Sequence, residues 1–581
     1  MNHKKLLLTL TLCLCALLCM VVTASASEVQ GHSHRVCAGT TCTDPAHASH
    51  SDVTFEKAIT MADNVLCIDG VKQTPNSNSS DNYEYTLSEG TYYLDDNLTL
   101  NKGIQVQGNV TLCLNGHEIR SEGSYVIQTP WSGTVTFTLC DCKAGGKIAH
   151  TVNSSSNSAG VNLNNTSTSQ QTFIMYNGCI TQNKGSGVYL YSNTSFTMYG
   201  GSITGNTLTG APTFGGGVYV HSGASFTMYG GDITKNQADY GGGVSTSGNT
   251  ANFTMYGGSI TENHANNSGG GIYSTSDNIS IYGGSVTDNS VTKRGKAGGI
   301  YVSDSGTLTV GGNVNISGNW KGDSEESGSK NNVYLDYYNG AFATIVIKEA
   351  LTGAPIGITT ANAPTAGNPV TIVTGNSIEE AYKDSFQADN AAYGVSYDGT
   401  NKVLQLHAHT GGTATCTAEA VCTTCGQRYG NTNPNNHDIE HHDAKAATCT
   451  EVGWNAYNTC KREGCSYTTY KELAALNHAF AADWEHDDDK HWHKCTRDGC
   501  TGIDAEAAHN WRDATYTAPK TCTVCGATQG EPLTRSYYYY APSAAEDKKD
   551  SPKAGDPGVL LYAGLALASL TGLTYTAKKR R

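Results

Sequence analysis

Ten of the chain's 20 cysteines fall between residues 416 and 525, with histidines recurring among them. They sort into groups of four soft or borderline donors: Cys416, Cys422, Cys425 and His437; Cys449, Cys460, Cys465 and His478; His493, Cys495, Cys500 and His509. Thiolates and imidazoles in fours suit tetrahedral Zn²⁺. A further pair, Cys522 and Cys525, reads as a truncated module, because CTVCG at 522–526 copies CTTCG at 422–426. The N-terminal HSHRVCAGTTCTDPAHASH has the same form, with His34, Cys37, Cys42 and His50 as one choice of four ligands. Structural zinc is one reading and disulfides are the other, since small extracellular modules often need covalent staples. Of the 20 cysteines, Cys13, Cys15 and Cys19 lie in an N-terminal leader, leaving 17, an odd number that strands at least one thiol. Histidines at matching places favour metal, because a disulfide gives them no role. Catalytic zinc is not expected, since no module pairs an open site with a general base.

The elements that carry these groups are announced upstream by a repeat. Between residues 173 and 319 one phrase occurs six times, most clearly as FTMYGGSITGN (196–206), FTMYGGDITKN (226–236) and FTMYGGSITEN (253–263). Each copy ends in asparagine, giving Asn183, Asn206, Asn236, Asn263, Asn289 and Asn319 at intervals of 23, 30, 27, 26 and 30 residues. Apolar residues alternate within the phrase (Phe196, Met198, then Ile203), and the following GGGVYV places Val218 and Val220 on one side with Tyr219 on the other. That is strand periodicity, and glycine pairs between the runs permit sharp corners. A period in this range marks a solenoid: three strands and three corners per coil, each strand bonded to its equivalents about 4.8 Å above and below. Six asparagines in register predict a ladder of side-chain amides. The stretches GTYYLDDNLTLNKGIQVQGNVTLCLNGHEI and TVTFTLCDCKAGGKIAH read as first coils, and the strand-rich run from Asn331 as a terminal cap, so the solenoid is placed at 55–408.

These residues resemble the right-handed parallel β-helix (pectin-lyase-like) superfamily, in particular bacterial surface proteins carrying LCLNGH and LCDC coils followed by GG-I-N coils. The GGGV and ITxN pairing is also similar to the GGAI and FxxN repeats of chlamydial polymorphic membrane proteins. The resemblance implies a right-handed parallel β-helix, so the expected fold class is all-β, that solenoid followed by small Cys/His-rich modules. It does not specify an activity, because this fold carries lyases, hydrolases and adhesins alike.

Other columns could bear function. Tyr176, Tyr199, Tyr229, Tyr256 and Tyr282 each precede a glycine, and Tyr189, Tyr219, Tyr273 and Tyr301 form a second series interrupted by Ser245. Stacked tyrosines are a candidate glycan platform, with aromatic shielding of the coil corners as the plainer reading. The position before each ladder asparagine is variable, and there Glu262 and Asp288 could approach to about 5 Å, the carboxyl separation of a retaining glycosidase. Cys113 and Cys140 lie 27 residues apart, about one coil, and could bond or remain two buried thiols.

The ends speak of location. Lys4 and Lys5, an apolar run from Leu6 to Val22 and Ala24-Ser25-Ala26 form a secretory signal pattern with cleavage after Ala26. Ser551-Pro552-Lys553-Ala554-Gly555, an apolar stretch from Val559 to Ala577 and a basic Lys578-Lys579-Arg580-Arg581 resemble a Gram-positive sortase sorting signal, with Ser551 where Leu is common and Ala554 where Thr is common. The resemblance implies sortase and peptidoglycan as partners, cleavage between Ala554 and Gly555, and a membrane span only before processing; a plain transmembrane anchor is the alternative. The expected organisation is a leader at 1–26, a His/Cys module at 27–54, the β-helix at 55–408, Cys/His modules at 409–533, a spacer at 534–550 and the sorting segment at 551–581. A net charge of −14 argues against nucleic acid. The leading expectation is an extracellular, cell-wall-anchored, non-enzymatic adhesin binding host or bacterial glycans or matrix. A surface polysaccharide lyase or glycoside hydrolase is the alternative from another class, and a passive spacer the third.

Overall fold

The computed structural model describes residues 32–35 and 52–536, apart from 79, 151–157, 167, 211, 276–277, 304–305, 339 and 376–377. The leader with Ala26, the N-terminal donors Cys37, Cys42 and His50, and the sorting segment from Ser551 lie outside the described residues, as does most of the spacer. His34 falls on the strand His32–Arg35, which pairs antiparallel with Asp52–Phe55. No helix among the described residues is long and apolar enough to cross a membrane. The chain divides into two compact units, one holding residues up to 440 together with 460–467, the other 441–459 and everything from 468 onward.

Parallel strands dominate the first unit, wound as a β-helix. The FTM segments Gln171–Met175, Thr194–Met198, Ser225–Met228 and Asn252–Met255 pair parallel and in register, so that Phe173, Phe196, Phe226 and Phe253 sit directly above one another. The SIT segments do the same, aligning Ile180, Ile203, Ile233 and Ile260. A third column of twelve strands runs from Tyr83–Leu87 to Phe386–Ala388 and contains the VYV segments. Alternation along each strand sends Phe, Met and Ile inward, where every member of these columns is fully buried or nearly so. The phenylalanine rings from Phe137 to Phe253 stack with centroids 5.3, 4.6, 4.7 and 5.0 Å apart, close to the coil spacing. The middle coils also carry a fourth short side, formed by Gln237–Tyr240, His264–Ser268, Ser290–Val291 and Trp320–Lys321, where three sides were expected.

Both glycines of the YGG corner are required. A Cβ on Gly230 would stand 2.5 Å from the Tyr199 carbonyl oxygen of the preceding coil, and Gly231 has φ +86°, a left-handed conformation that side chains resist. The residue before each ladder asparagine is also left-handed, at φ 57° in Gln182, 58° in Lys235, 56° in Glu262 and 57° in Asp288. This column varies in sequence because it specifies a backbone corner.

The asparagine ladder forms as the register predicts and is one-directional. The Nδ2 of Asn183, Asn206, Asn236, Asn263 and Asn289 each donates to the Oδ1 of the next asparagine at 2.8–3.0 Å. Each Oδ1 also accepts the backbone N–H of the preceding ladder residue at 3.0 Å. The column extends beyond Asn319 to Asn332, whose Nδ2 donates to Asp389 Oδ1 at 2.6 Å. All amide donors therefore point toward one carboxylate, which burial pushes toward the protonated form while the N–H of Asn332 and the Thr359 hydroxyl pull the other way. Beyond this point Val403–Ala408 pairs antiparallel with both Val370–Thr374 and Tyr393–Asp398, and the parallel stacking stops.

Cys113 and Cys140 occupy equivalent positions on adjacent coils, but the sulfur of Cys113 meets that of Cys142, at 3.4 Å. Cys140 Sγ faces the Leu112 carbonyl instead. Parallel in-register side chains point the same way, whereas Cys142 lies past the corner and turns back over the coil below. Mild oxidation is expected to remove two alkylatable thiols by joining Cys113 to Cys142; peptide mapping checks it, and Cys142→Ser should abolish the link while Cys140→Ser leaves it.

Candidate metal centres

Short two-stranded pieces and tight turns make up residues 409–533, and their donors converge in four places. Cys416, His437, Cys460 and Cys465 form one set; Cys449, His478, Cys495 and Cys500 a second; His491, His509, Cys522 and Cys525 a third; His407, Cys422 and Cys425 a fourth, each with its donor atoms within 4.8 Å of one another. His409 adjoins the fourth set, its Nδ1 3.6 Å from Cys425 Sγ.

The distances separate the two readings of the cysteines. Sulfurs lie 3.6 Å apart in Cys416–Cys460 and 3.7 Å apart in Cys449–Cys495. Sulfur to imidazole nitrogen is 3.3 Å in Cys465–His437, 3.2 Å in Cys500–His478 and 3.4 Å in Cys525–His509. Donors held about 2.3 Å (S) and about 2.0 Å (N) from one tetrahedral ion have edges of about 3.8 Å (S to S) and about 3.5 Å (S to N), while a disulfide needs about 2.05 Å. None of the cysteines in these sets is in a disulfide. These clusters can therefore hold a metal ion.

Hydrogen bonding prepares the donors. His407 Nδ1 donates to the Ala408 carbonyl at 3.0 Å, which leaves Nε2 as a bare lone pair, buried and without a hydrogen-bond partner. His509 Nε2 likewise donates to the Asp487 carbonyl at 2.9 Å, turning a bare Nδ1 toward Cys525. Fixing the tautomer through the far nitrogen is how ligating histidines are oriented. The first cysteine of each pair is biased to thiolate. Burial pushes the Cys422 thiol up, but backbone N–H groups of Thr410 and Cys425 and the His409 ring outweigh it and bring it to about 5. Cys522 reaches about 5, burial again being outweighed by the N–H groups of Cys525 and Val524. Cys460 and Cys495 come to about 6, burial losing to the N–H groups of Arg462 and Asp438 and of Arg497 and Ala479 respectively. A glycine at φ +75° or thereabouts (Gly426, Gly464, Gly499, Gly526) shapes each of these turns.

The grouping differs from the expected one. Cys422 and Cys425 do not share a set with Cys416 and His437, nor Cys460 and Cys465 with Cys449 and His478. His493 joins no set; its Nδ1 faces the Asp483 carbonyl and its ring packs on Trp484, while His491, two residues earlier and set edge-on to the same Trp484, takes the ligand position. Cys522 and Cys525 are a full half of a set. His407, His409 and His491 were missed from sequence, although His409 stands 13 residues before Cys422 as His509 stands before Cys522.

On the solenoid, Tyr176, Tyr199, Tyr229, Tyr256 and Tyr282 stack face to face with centroids 5.1, 5.1, 5.1 and 5.4 Å apart. Each inner ring face is covered by its neighbour, so the column turns ring edges outward. Beside it runs a groove of about 330 Å³ over successive corners, floored by Gly178, Gly201 and Gly231 and flanked by Asp141 and Asp232. Asp141 is committed to structure, accepting N–H groups of Gly116 and Gly146 at 2.7 Å each. The second tyrosine series is covered: Phe214 and Tyr240 fill the gap at Ser245, and Tyr189, Tyr219 and Tyr301 are buried. Glu262 faces Lys235 at 3.6 Å on the surface, which gives it a cation partner on its own column.

No protein-family model, no curated protein and no solved structure matches this chain. The β-helix and the four Cys/His clusters are what its own residues establish.

Proposed function

We propose that the chain is a surface-displayed, non-enzymatic β-helix protein that binds an extended glycan along the tyrosine column, with Zn²⁺ as a structural staple in the Cys/His modules. The observation that carries this reading is the axial spacing of the five tyrosines, 5.1–5.4 Å, which is close to the rise per sugar of an extended polysaccharide chain. With faces covered, the column would engage a glycan through ring edges and hydroxyls over the glycine-floored groove, each sugar meeting an equivalent coil. Zinc bound by three or four protein donors would cross-link backbone segments and supply no reaction, because the sets leave no open position beside a general base. Secretion, attachment to peptidoglycan by sortase at Ala554 and lodging outside the cell rest on the end segments and their resemblance. The lyase or hydrolase alternative is disfavoured by Asp141 and Glu262, whose carboxylates already serve backbone N–H groups and Lys235.

A glycan array on the intact chain tests it. A glycan retained by the wild type is expected to be held at least tenfold more weakly after Tyr229→Ala with Tyr256→Ala, with no new reducing ends formed. Retention unchanged by that double substitution, or polysaccharide cleavage by the purified chain, would sink the reading.

A further inference from the structure

We infer that the metal ions staple successive modules to one another, each ion closing a joint between neighbours rather than a knot within one module. The inference rests on zinc occupying the clusters and concerns which segments each ion joins.

The modules share a local fold that fixes their equivalence. In HTGGTATCTAEAVCTTCG (409–426) and HNWRDATYTAPKTCTVCG (509–526) the same backbone bonds recur: Thr415 and Thr515 N–H to Ala418 and Ala518, at 2.7 and 2.8 Å; Thr423 and Thr523 N–H to Thr410 and Asn510, at 3.0 and 2.9 Å; Cys422 and Cys522 N–H to Gln427 and Ala527, at 2.8 and 2.7 Å. The turn Thr448–Glu451 repeats the first of these at 3.0 Å. Cys416, Cys449 and residue 516 are therefore one structural position. Cys416 joins the cysteine pair of the next module, Cys460 and Cys465; Cys449 joins the pair after that, Cys495 and Cys500. Each module thus receives through its cysteine pair and gives through an early donor, a cysteine in the first two, and a late histidine.

Polarity follows. The first pair, Cys422 and Cys425, receives His407 from the last solenoid strand, Val403–Ala408, together with the adjoining His409, so the array begins on the β-helix cap. The third module gives His491 and His509 to Cys522 and Cys525. In the last module the giving position is Tyr516, 60% exposed, which offers neither thiolate nor imidazole. A module that receives and does not give ends the series. One ion per joint makes four among the described residues.

Cutting the chain distinguishes this from self-contained modules. A protease site inserted between the exposed Asp443 and Ala444 of the full chain leaves Cys416 and His437 on one piece and Cys460 and Cys465 on the other. After cleavage in zinc the two pieces are expected to elute together by size exclusion. A strong chelator should separate them, and Cys465→Ser should weaken their association at least tenfold in zinc. Metal analysis of the uncut chain reports separately on whether zinc binds, with at least four ions expected from these joints. Pieces that part in zinc while the ions remain bound would overturn the stapling, as would pieces that stay together after the metal has been removed; an uncut chain without bound zinc would overturn the zinc reading beneath it.

Discussion

Chelation of the metal is expected to unfold residues 409–533 while the β-helix stays intact. The reason is what these residues bury. Their fully enclosed apolar side chains are Ala420, Cys422, Cys449, Cys495, Cys522 and Ala527, with no leucine, isoleucine, valine or phenylalanine among them. Two methyl groups and four thiols are no hydrophobic core, and modules of this size fold alone only with staples. A structural zinc set in a small domain contributes on the order of 10 kcal/mol of apparent binding free energy, which is folding free energy when no site exists in the unfolded chain. Hydrogen exchange checks this: amides from 409 to 533 should lose protection in chelator, while those of the FTM strands should not change. Four of the six tryptophans (Trp454, Trp484, Trp492 and Trp511) lie in this region, so fluorescence should follow the same loss. Protection that persists after metal removal would mean that something other than these clusters holds the modules.

Substituting a central ladder residue, Asn236→Ala, is expected to destabilise the surrounding coils by about 4 kcal/mol. Asn236 donates through Nδ2 to Asn263 Oδ1 and to the Ile203 carbonyl, and its Oδ1 accepts both the N–H and the Nδ2 of Asn206. Alanine removes all four bonds at a site 1% exposed, where water cannot replace them. An unmet buried donor or acceptor costs about 1–3 kcal/mol, and the Asn206 N–H is left wholly unmet. Aspartate should be worse still, since it sets an anion against the Ile203 carbonyl and Asn263 Oδ1. Lys235→Ala, one residue away on the exposed corner, is the control and should shift stability by no more than about 0.5 kcal/mol. Local hydrogen exchange around Phe226 and Phe253 is the appropriate measurement, because a stacked array opens coil by coil. A shift for Asn236→Ala no larger than the control's would show that the ladder is ornamental.

The end of the ladder was less legible than its middle. Asn332 follows Asn319 by only 13 residues, outside the 23–30 interval of the repeat, and Asp389 stands 57 residues further on, yet both complete the column. A shortened side of the last coil brings them in, and no periodicity announces it. The fourth side of the middle coils was missed for a similar reason: Gln237–Tyr240 and His264–Ser268 are polar and lie in the variable stretch, so only pairing between coils makes them strands. The tyrosine column was visible, but whether it offered faces or edges depended on ring stacking, which sequence does not encode.

Taken by itself, the sequence determined the β-helix, its register and its asparagine column. In a parallel stack, residues one period apart in the chain are neighbours in space, so a repeat written along one dimension is already a contact map. Tertiary structure alone decided which cysteines meet which histidines. His437 lies 12 residues after Cys425 and 23 before Cys460, both within reach of a short loop, and thiolates and imidazoles have no side-chain pattern that prefers one partner to another. Only the path of the backbone between modules, carrying each cysteine pair back to the donors of the module before it, selects the sets.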